Sequence, residues 1–276
     1  MNEQRIAIVT DSSAYIPKST LEGLHVSVIP IWLFWDNEQL RDGVDIEPPA
    51  FYRRLRTSKT LPTTSQPSAG EFEEFYRQVA TEAEAIVSVL VSSQLSGTIA
   101  SAEAARAQLP ELPIHIVDSQ SSSMGLGLVA LAAARAAAAG KSLEQVVAAA
   151  EEMRERLHFL FVVDTLEYLH RSGRISGTKR ALGTALQLTP ILHFEEGRIV
   201  SLTQARTKRK ALARILDIAE ERLGGRAMAE AAVVDIDSPE SGDAVAEQVA
   251  ERFGPPLLHR ASVSPVVGAI VGPGAI

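Results

Sequence analysis

The stretch AIVSVLVSSQLSGTIASA, residues 85–102, decides how this chain folds. Its first seven residues are apolar except for Ser88, which is typical of a strand buried on both faces of a parallel sheet. From Thr98 onward the residues are small and rich in alanine, which favours a helix. Between strand and helix stand several serines. They can act as a nucleophile, as a cradle for an anion or only as helix caps.

The same alternation of apolar strand and helix recurs along the first half of the chain. Apolar runs resembling strands begin near residues 5 and 114, and amphipathic helical stretches cover residues 68–83 and 142–157. Strands that alternate with helices predict an α/β fold with a mainly parallel sheet and helices on both faces.

The pattern changes after about residue 164. The segment PILHFEEGRIVSL, residues 190–202, reads as two strands joined by a Glu-Glu-Gly turn, and a basic helix follows at residues 206–223. We therefore expect a two-domain protein. Residues 1–160 form an N-terminal α/β domain with hydroxyl-rich strand ends, and residues 161–276 form a C-terminal α+β domain.

Hydroxyl side chains follow several predicted strands. Three clusters stand at strand ends: Asp11-Ser12-Ser13, Ser92-Ser93 with Ser96 and Thr98, and Asp118-Ser119 with Ser121–Ser123. A fourth cluster precedes a predicted helix and consists of Thr63, Thr64, Ser65 and Ser68. In an open parallel sheet, ligands bind outside the carboxyl ends of the strands, where helix N-termini present free N–H groups to an anion. The clusters thus predict a pocket for a carboxylate or phosphate. The alternative is that each hydroxyl is an N-cap, the commonest use of serine at such positions.

Composition excludes several classes of function. The formal charge is −7, and clustered Lys and Arg are too few for nucleic acid to be a bulk partner. The chain has no cysteine, so thiolate metal sites and disulfides are excluded. The longest apolar run, residues 125–140, is mostly alanine and is broken by Arg135, so we expect no transmembrane segment and a cytoplasmic location.

Catalytic motifs are also missing from the sequence. No G-x-S-x-G elbow surrounds Ser96, and none of the six histidines stands in a recognisable catalytic motif. GLGLVA, residues 125–130, matches a dinucleotide fingerprint only in its spacing, so close helix packing explains its glycines better. We expect no catalytic residue, no metal site and no cofactor.

The ordered motifs resemble the DegV family of bacterial fatty-acid-binding proteins, the substrate subunits of fatty acid kinase. They run nearly end to end: IAIVTDSSAYIP (6–17), LPTTSQPSAGEF (61–72), SSQLSGTIASA (92–102), VDSQSSSMGLG (117–127), FVVDTLEYLHRSGRISG (161–177), ARTKRKAL (205–212) and SPVVGAIVGPGA (264–275). The resemblance implies two α/β domains, with a long acyl chain buried between or within them. It also implies that a separate kinase phosphorylates the bound acid to an acyl phosphate for phospholipid metabolism, so that this chain is a carrier.

The resemblance also assigns the residues that hold the fatty-acid carboxylate. The family's threonine falls on Thr63 or Thr64, its serine on Ser93 or Ser96, and its arginine on Arg174. Supporting positions at the mouth of the site are Ser12, Gly97, Ser119, Ser122 and Ile270.

One position departs from the family pattern. Family members carry a histidine in a G-T-H-x-G-P-G context, and here Ile270 takes its place. A lost hydrogen bond to a charged group is worth about 1.5–3 kcal/mol. We expect either weaker binding of the carboxylate, which Arg174 and the hydroxyls offset, or a different head group on the ligand.

Two other functions stay open on the sequence alone. The chain can be the substrate subunit of an enzyme resembling dihydroxyacetone kinase, although that family binds substrate through a histidine. It can also be a sensor of small anions that has lost the lipid tunnel.

Overall fold

The computed structural model describes residues 5–175 and 188–276, so the last two residues of the motif at 161–177 lie outside the described residues. The strands are β1 (Ile6–Asp11), β2 (Val26–Ile29), β3 (Trp32–Trp35), β4 (Glu38–Arg41), β5 (Thr63–Ser65), β6 (Ala85–Leu90), β7 (Ile114–Asp118), β8 (Leu160–Val162), β9 (Thr189–Glu195), β10 (Arg198–Ala205), β11 (Ala231–Asp235) and β12 (Leu258–Ser262). The α-helices are α1 (Pro48–Thr57), α2 (Ala69–Val79), α3 (Thr98–Arg106), α4 (Ser123–Ala138), α5 (Leu143–Arg156), α6 (Glu167–Ser172), α7 (Lys208–Leu223), α8 (Pro239–Phe253) and α9 (Pro265–Val271).

The chain divides into two compact units, Met1–Leu157 with Ser264–Val266, and His158–Val263 with Val267–Ile276. The sequence predicts two domains that divide at residue 160, and this domain boundary stays a prediction.

A parallel sheet forms the centre of the first unit. Its strand order is β2-β1-β6-β7, with every neighbouring pair parallel. Alternate residues of β6 point to opposite faces: Val87 packs among residues of α4 and α5, and Ile86 among residues of α2 and α3. Helices therefore cover both faces, and the predicted α/β fold is confirmed.

The first unit also contains a small antiparallel sheet that the sequence reading missed. Pro30 and Ile31 interrupt the apolar run at residues 25–34 and separate β2 from β3. Strand β3 joins a second sheet in the order β4-β3-β5, which places Thr63 and Thr64 on an edge strand. Proline lacks the N–H that a continuous central strand needs, which explains the break.

Two sheets occur in the part of the second unit that the structure describes. Strands β10-β9-β8 are antiparallel, and the predicted turn at Glu196-Gly197 joins β9 to β10 with both residues at positive φ. Strands β11 and β12 form a parallel pair. The backbone of Ile276 exchanges two hydrogen bonds with Val162, and that of Ile236 pairs with Gly274 and Ala275. Residues 274–276 thus connect the two sheets.

Candidate functional site

The strand-end loops of the first unit meet at one edge of the parallel sheet. This follows from the strand order, because β1, β6 and β7 are neighbours whose carboxyl ends lie on the same side. The Ser92 N–H donates to the Ser121 carbonyl oxygen at 2.9 Å, and the Ser119 N–H donates to that of Leu90 at 3.1 Å. The structure therefore brings three of the predicted hydroxyl clusters together.

Asp11 fixes the end of β1 to the neighbouring strand. It is fully buried and accepts hydrogen bonds from the N–H of Val91, at 2.7 Å, and from both the N–H and the hydroxyl of Ser13. Burial raises the pKa of Asp11, while these hydrogen bonds act in the opposite direction. The aspartate is a structural anchor of the edge at which the hydroxyls lie.

Ser12 contacts a second buried carboxyl group. Its hydroxyl donates to Asp42 Oδ2 at 2.7 Å and accepts the N–H of Ile31 at 3.0 Å. Burial raises the pKa of Asp42 to about 8, and the charge of Asp11 adds to this, against hydrogen bonds from Ser12, Ser264 and the Val266 N–H. The sequence reading missed Asp42, which stands in a polar turn with no local sign of burial. Ser12 is itself buried and has structural partners.

Ser93 is exposed on the loop that follows β6. Its hydroxyl donates to Asp118 Oδ2 at 2.6 Å, and its N–H reaches the same oxygen at 3.3 Å. The sequence predicts that Asp118 stands at the end of a strand. Its hydrogen bond with Ser93 joins residues 25 positions apart. Parallel neighbouring strands create this contact, so local sequence gives no sign of it.

Ser96 and Gly97 lead into α3. The Ser96 hydroxyl lies 2.8 Å from Thr98 Oγ1 and accepts the Thr98 N–H at 3.3 Å. A Cβ on Gly97 would come within 2.9 Å of Gln66 Nε2. Glycine thus permits the segment that follows Thr63 and Thr64 to approach this loop, and Gln66 is a contact that the sequence reading did not identify.

Thr63 and Thr64 point to opposite faces of β5. Thr64 pairs with Leu33, which is fully buried, while Thr63 pairs with Phe34 and is exposed. Because successive strand residues alternate between faces, only one of the two threonines can present its hydroxyl on a given side.

The serines that follow β7 are buried at the start of α4. The Ser119 hydroxyl donates to the Ser121 carbonyl oxygen and accepts the Ser121 N–H, both at 3.2 Å. Ser122 is the N-cap residue of α4, and its side chain makes no capping hydrogen bond. A Cβ on Gly127 would lie 3.1 Å from Ile16 Cγ1, which supports close packing as the reason for the glycines of this helix.

Arg174 and Ile270 lie in the second unit and share a neighbour. The Arg174 guanidinium donates to the carbonyl oxygen of Ser172. The Ser172 hydroxyl lies 3.1 Å from the carbonyl oxygen of Leu169 and 3.5 Å from that of Ile270. Ile270 stands in α9 and is half-buried. The roles of all the predicted site residues as ligand contacts remain predictions.

An apolar face lies on the sheet of the second unit. Phe159, Phe161 and Phe194 have ring centroids 5.3–6.4 Å apart. The strand register puts Phe161 opposite Leu192 and Phe194 opposite Ile199, so these side chains share a face. The other face carries Val162 and Ile191, which pack against α7 and α8. Both faces are therefore apolar.

Within residues 5–175 and 188–276, no three His, Asp or Glu side chains are grouped so that they could hold a metal ion. Among the helices of these same ranges, none has the length and apolar character that crossing a bilayer requires.

Comparison with known proteins identifies the family. A family model described as "Uncharacterised protein, DegV family" matches residues 5–276. A DegV domain-containing protein of Streptomyces coelicolor is 38% identical over 275 residues, covering 99% of this chain and 97% of the relative.

Two solved structures are similar over almost their full length. A DegV family protein from Thermus thermophilus, described by its fatty acid binding, has a TM-score of 0.90 and 34% identity, with 98% of this chain and 97% of that chain covered. DegV from Bacillus subtilis, described as a fatty acid binding protein, has a TM-score of 0.91 and 32% identity, with 99% and 97% covered. This chain belongs to the DegV family.

Proposed function

We propose that this protein binds a long-chain fatty acid and presents it to the catalytic subunit of a separate fatty acid kinase. The kinase converts the bound acid to an acyl phosphate for phospholipid metabolism, and this chain acts in the cytoplasm as a carrier without catalytic residues of its own. The observation that carries the proposal is the near full-length similarity to two structures described as fatty-acid binding.

The apolar face of the second unit has side chains of the kind that pack against an acyl chain; Phe161, Leu192 and Ile199 are buried there, and Phe159 and Phe194 are half-buried. Phe159, Phe161 and Phe194 lie beside Leu192 and Ile199 on the face of the sheet that is turned away from α7. Each methylene of a chain buried against such side chains contributes about 0.8 kcal/mol. Chain burial supplies most of the affinity, and the head group needs only a modest polar grip.

Hydroxyls of the first unit support binding of the head group. We assign the grip to Ser93, Ser96 and either Thr63 or Thr64, because the Gln66–Gly97 contact joins their two segments. Ser12, Gly97 and Ser119 support this edge of the sheet through the contacts described above, and Ser122 stands beside them as the N-cap residue of α4.

Arg174 supplies the charged contact, and Ile270 leaves the family's histidine contact unfilled. We expect the Arg174 guanidinium to carry the charged contact that the family resemblance implies. Arg174→Ala then weakens binding more than either threonine substitution does.

Native mass spectrometry of the purified protein tests ligand class. We expect the mass of one long-chain fatty acid in addition to that of the chain, and binding of added palmitate or oleate to stripped protein. Protein that contains no lipid and binds neither acid contradicts the proposal. If phosphate or small acids raise the thermal stability of this lipid-free protein, the protein is instead an anion sensor.

A coupled assay tests the role as a kinase substrate. Loaded protein is mixed with ATP and a fatty acid kinase catalytic subunit, and acyl phosphate is trapped with hydroxylamine. We expect product only when both proteins are present. Turnover of dihydroxyacetone in place of fatty acid would favour the alternative enzyme.

The two threonines provide a matched pair of variants. Because Thr63 and Thr64 face opposite sides of β5, we expect only one of Thr63→Ala and Thr64→Ala to weaken palmitate binding, by roughly tenfold. Equal effects of both would contradict a specific threonine contact.

A further inference from the structure

The hydrogen of the Ser93 hydroxyl is already engaged. Ser93 Oγ lies 2.6 Å from Asp118 Oδ2, a distance typical of a strong hydrogen bond from a hydroxyl to a carboxylate. A serine hydroxyl has one hydrogen to donate and two lone pairs to accept with. Ser93 is exposed, so the part of the hydroxyl that remains for a ligand is a lone pair.

Asp118 is fixed in a position that maintains this arrangement. It ends β7, where it pairs with Leu90 of β6, and its Oδ1 accepts the N–H of Gln120 at 2.8 Å. The Ser93 N–H reaches Oδ2 at 3.3 Å in addition to the hydroxyl. The two carboxylate oxygens therefore have different partners, Gln120 on one side and Ser93 on the other.

This geometry penalises an ionised head group at Ser93. A ligand carboxylate can accept the Ser93 hydrogen only if the bond to Asp118 breaks. Two carboxylates would then share one hydroxyl, and their mutual repulsion disfavours the charged form of one of them. A head group that carries its own hydrogen meets no such conflict, because it donates to the free lone pair.

We propose that Asp118 determines head-group specificity through Ser93, selecting groups that donate a hydrogen bond over groups that only accept one. The protonated carboxyl group of a fatty acid, a primary amide and an alcohol belong to the favoured class. An ionised carboxylate and an aldehyde belong to the disfavoured class. This inference rests on the proposed function, in which Ser93 contacts the head group.

A series of ligands with the same chain length tests the inference on the unmodified protein. Hexadecanol and hexadecanal have heads of similar size, but only the alcohol donates a hydrogen bond. We expect the alcohol to bind about tenfold more tightly. The alcohol donates a hydrogen bond to the Ser93 lone pair, whereas the aldehyde oxygen is an acceptor and cannot. Equal affinity, or tighter binding of the aldehyde, overturns the inference. Failure of every C16 ligand to bind, palmitate included, overturns the proposed function instead.

Asp118→Asn tests the role of the carboxylate directly. The carbonyl oxygen of the new amide can keep the hydrogen bond from Gln120, and its NH₂ group then donates to Ser93 Oγ, while the Ser93 N–H loses the acceptor that it reaches at 3.3 Å. The Ser93 hydrogen becomes free, so we expect palmitate at neutral pH to bind about tenfold more tightly and the preference for alcohol over aldehyde to disappear. Unchanged or weaker palmitate binding by the folded variant overturns the inference.

The Ser93→Ala background shows whether the effect passes through Ser93. We expect Asp118→Asn to change palmitate affinity less than twofold in that background, and an undiminished gain there overturns the inference. Thermal unfolding establishes that each variant folds. If Asp118→Asn does not fold, the alcohol and aldehyde pair decides the inference without it.

Discussion

Two groups of helices differ in how a serine or threonine side chain is used where the helix begins. Helices α2, α5 and α7 begin at Ser68, Ser142 and Thr207, whose side chains each accept the N–H of the third helical residue. Helices α3 and α4 begin just after strands of the parallel sheet, and their N-cap residues, Gly97 and Ser122, make no such bond. We call the first group the capped starts, and we call the segments at the ends of β1, β6 and β7, including the starts of α3 and α4, the strand-end starts.

The difference between the capped and the strand-end starts bears on the roles considered for the serines, which were nucleophile, anion cradle and helix cap. Capping accounts for the capped starts, where Ser68 and Ser142 both form complete capping boxes. At the strand-end starts, Ser93 bonds to Asp118 and Ser12 to Asp42, while Ser96 accepts the first helical N–H only at 3.3 Å. Caps alone therefore do not explain the hydroxyls at this edge of the sheet.

Removal of a buried anchor at the strand-end starts gives the largest expected loss of stability. Asp11→Ala leaves the Val91 N–H and the Ser13 N–H without their acceptor, and we expect a loss of about 3 kcal/mol in the free energy of unfolding. Urea denaturation measures it. Asp11→Asn, which keeps one acceptor oxygen, should lose less, and a loss below about 1 kcal/mol for alanine would contradict the anchor role.

Stability should also depend on pH through Asp42. Its folded pKa of about 8 is higher than the value of the unfolded chain, so its contribution is complete at low pH and is lost as the pH rises through 8. Between about pH 6.5 and about pH 8.5 we expect a decline of roughly 2 kcal/mol in the free energy of unfolding.

Asp42→Asn provides the control for this pH dependence. The variant has no ionisable group at this position, so its denaturation midpoints should decline less over the same pH range. Parallel curves for the wild type and the variant would show that another group is responsible.

The capped starts should give a smaller, purely structural effect. Ser68→Ala and Ser142→Ala each remove a capping hydrogen bond, and we expect each to lower the free energy of unfolding by about 1 kcal/mol. Neither should change palmitate affinity. A change in affinity would show that the two kinds of helix start are not functionally distinct.

The smallest effect on stability is expected at Ser93. Its side chain is exposed, so Ser93→Ala should lower the free energy of unfolding by less than about 0.5 kcal/mol. The same variant should lose head-group discrimination among C16 ligands. A large loss of stability without any change in binding would assign Ser93 to the structure alone.

Much of the fold follows from local pattern. The apolar runs at β1, β6 and β7, the capping box at Ser68 and the turn at Glu196-Gly197 were all predictable, because each depends on residues a few positions apart. The small sheet β4-β3-β5 was not predictable in this way, since its pairing joins Leu33 to Thr64 across a helix. Asp42 was missed for the same reason: its partners Ser12 and Ser264 are distant in sequence.

By itself the sequence determined the strands β1, β6 and β7, the capped helices and the presence of hydroxyls at strand ends. Only the tertiary structure decided what those hydroxyls contact. Asp11 meets Val91 across 80 residues and Asp118 meets Ser93 across 25, because β1, β6 and β7 are neighbours in the parallel sheet. A hydroxyl can donate only one hydrogen bond, so its partner fixes what it offers a ligand, and strand order rather than local sequence chooses that partner.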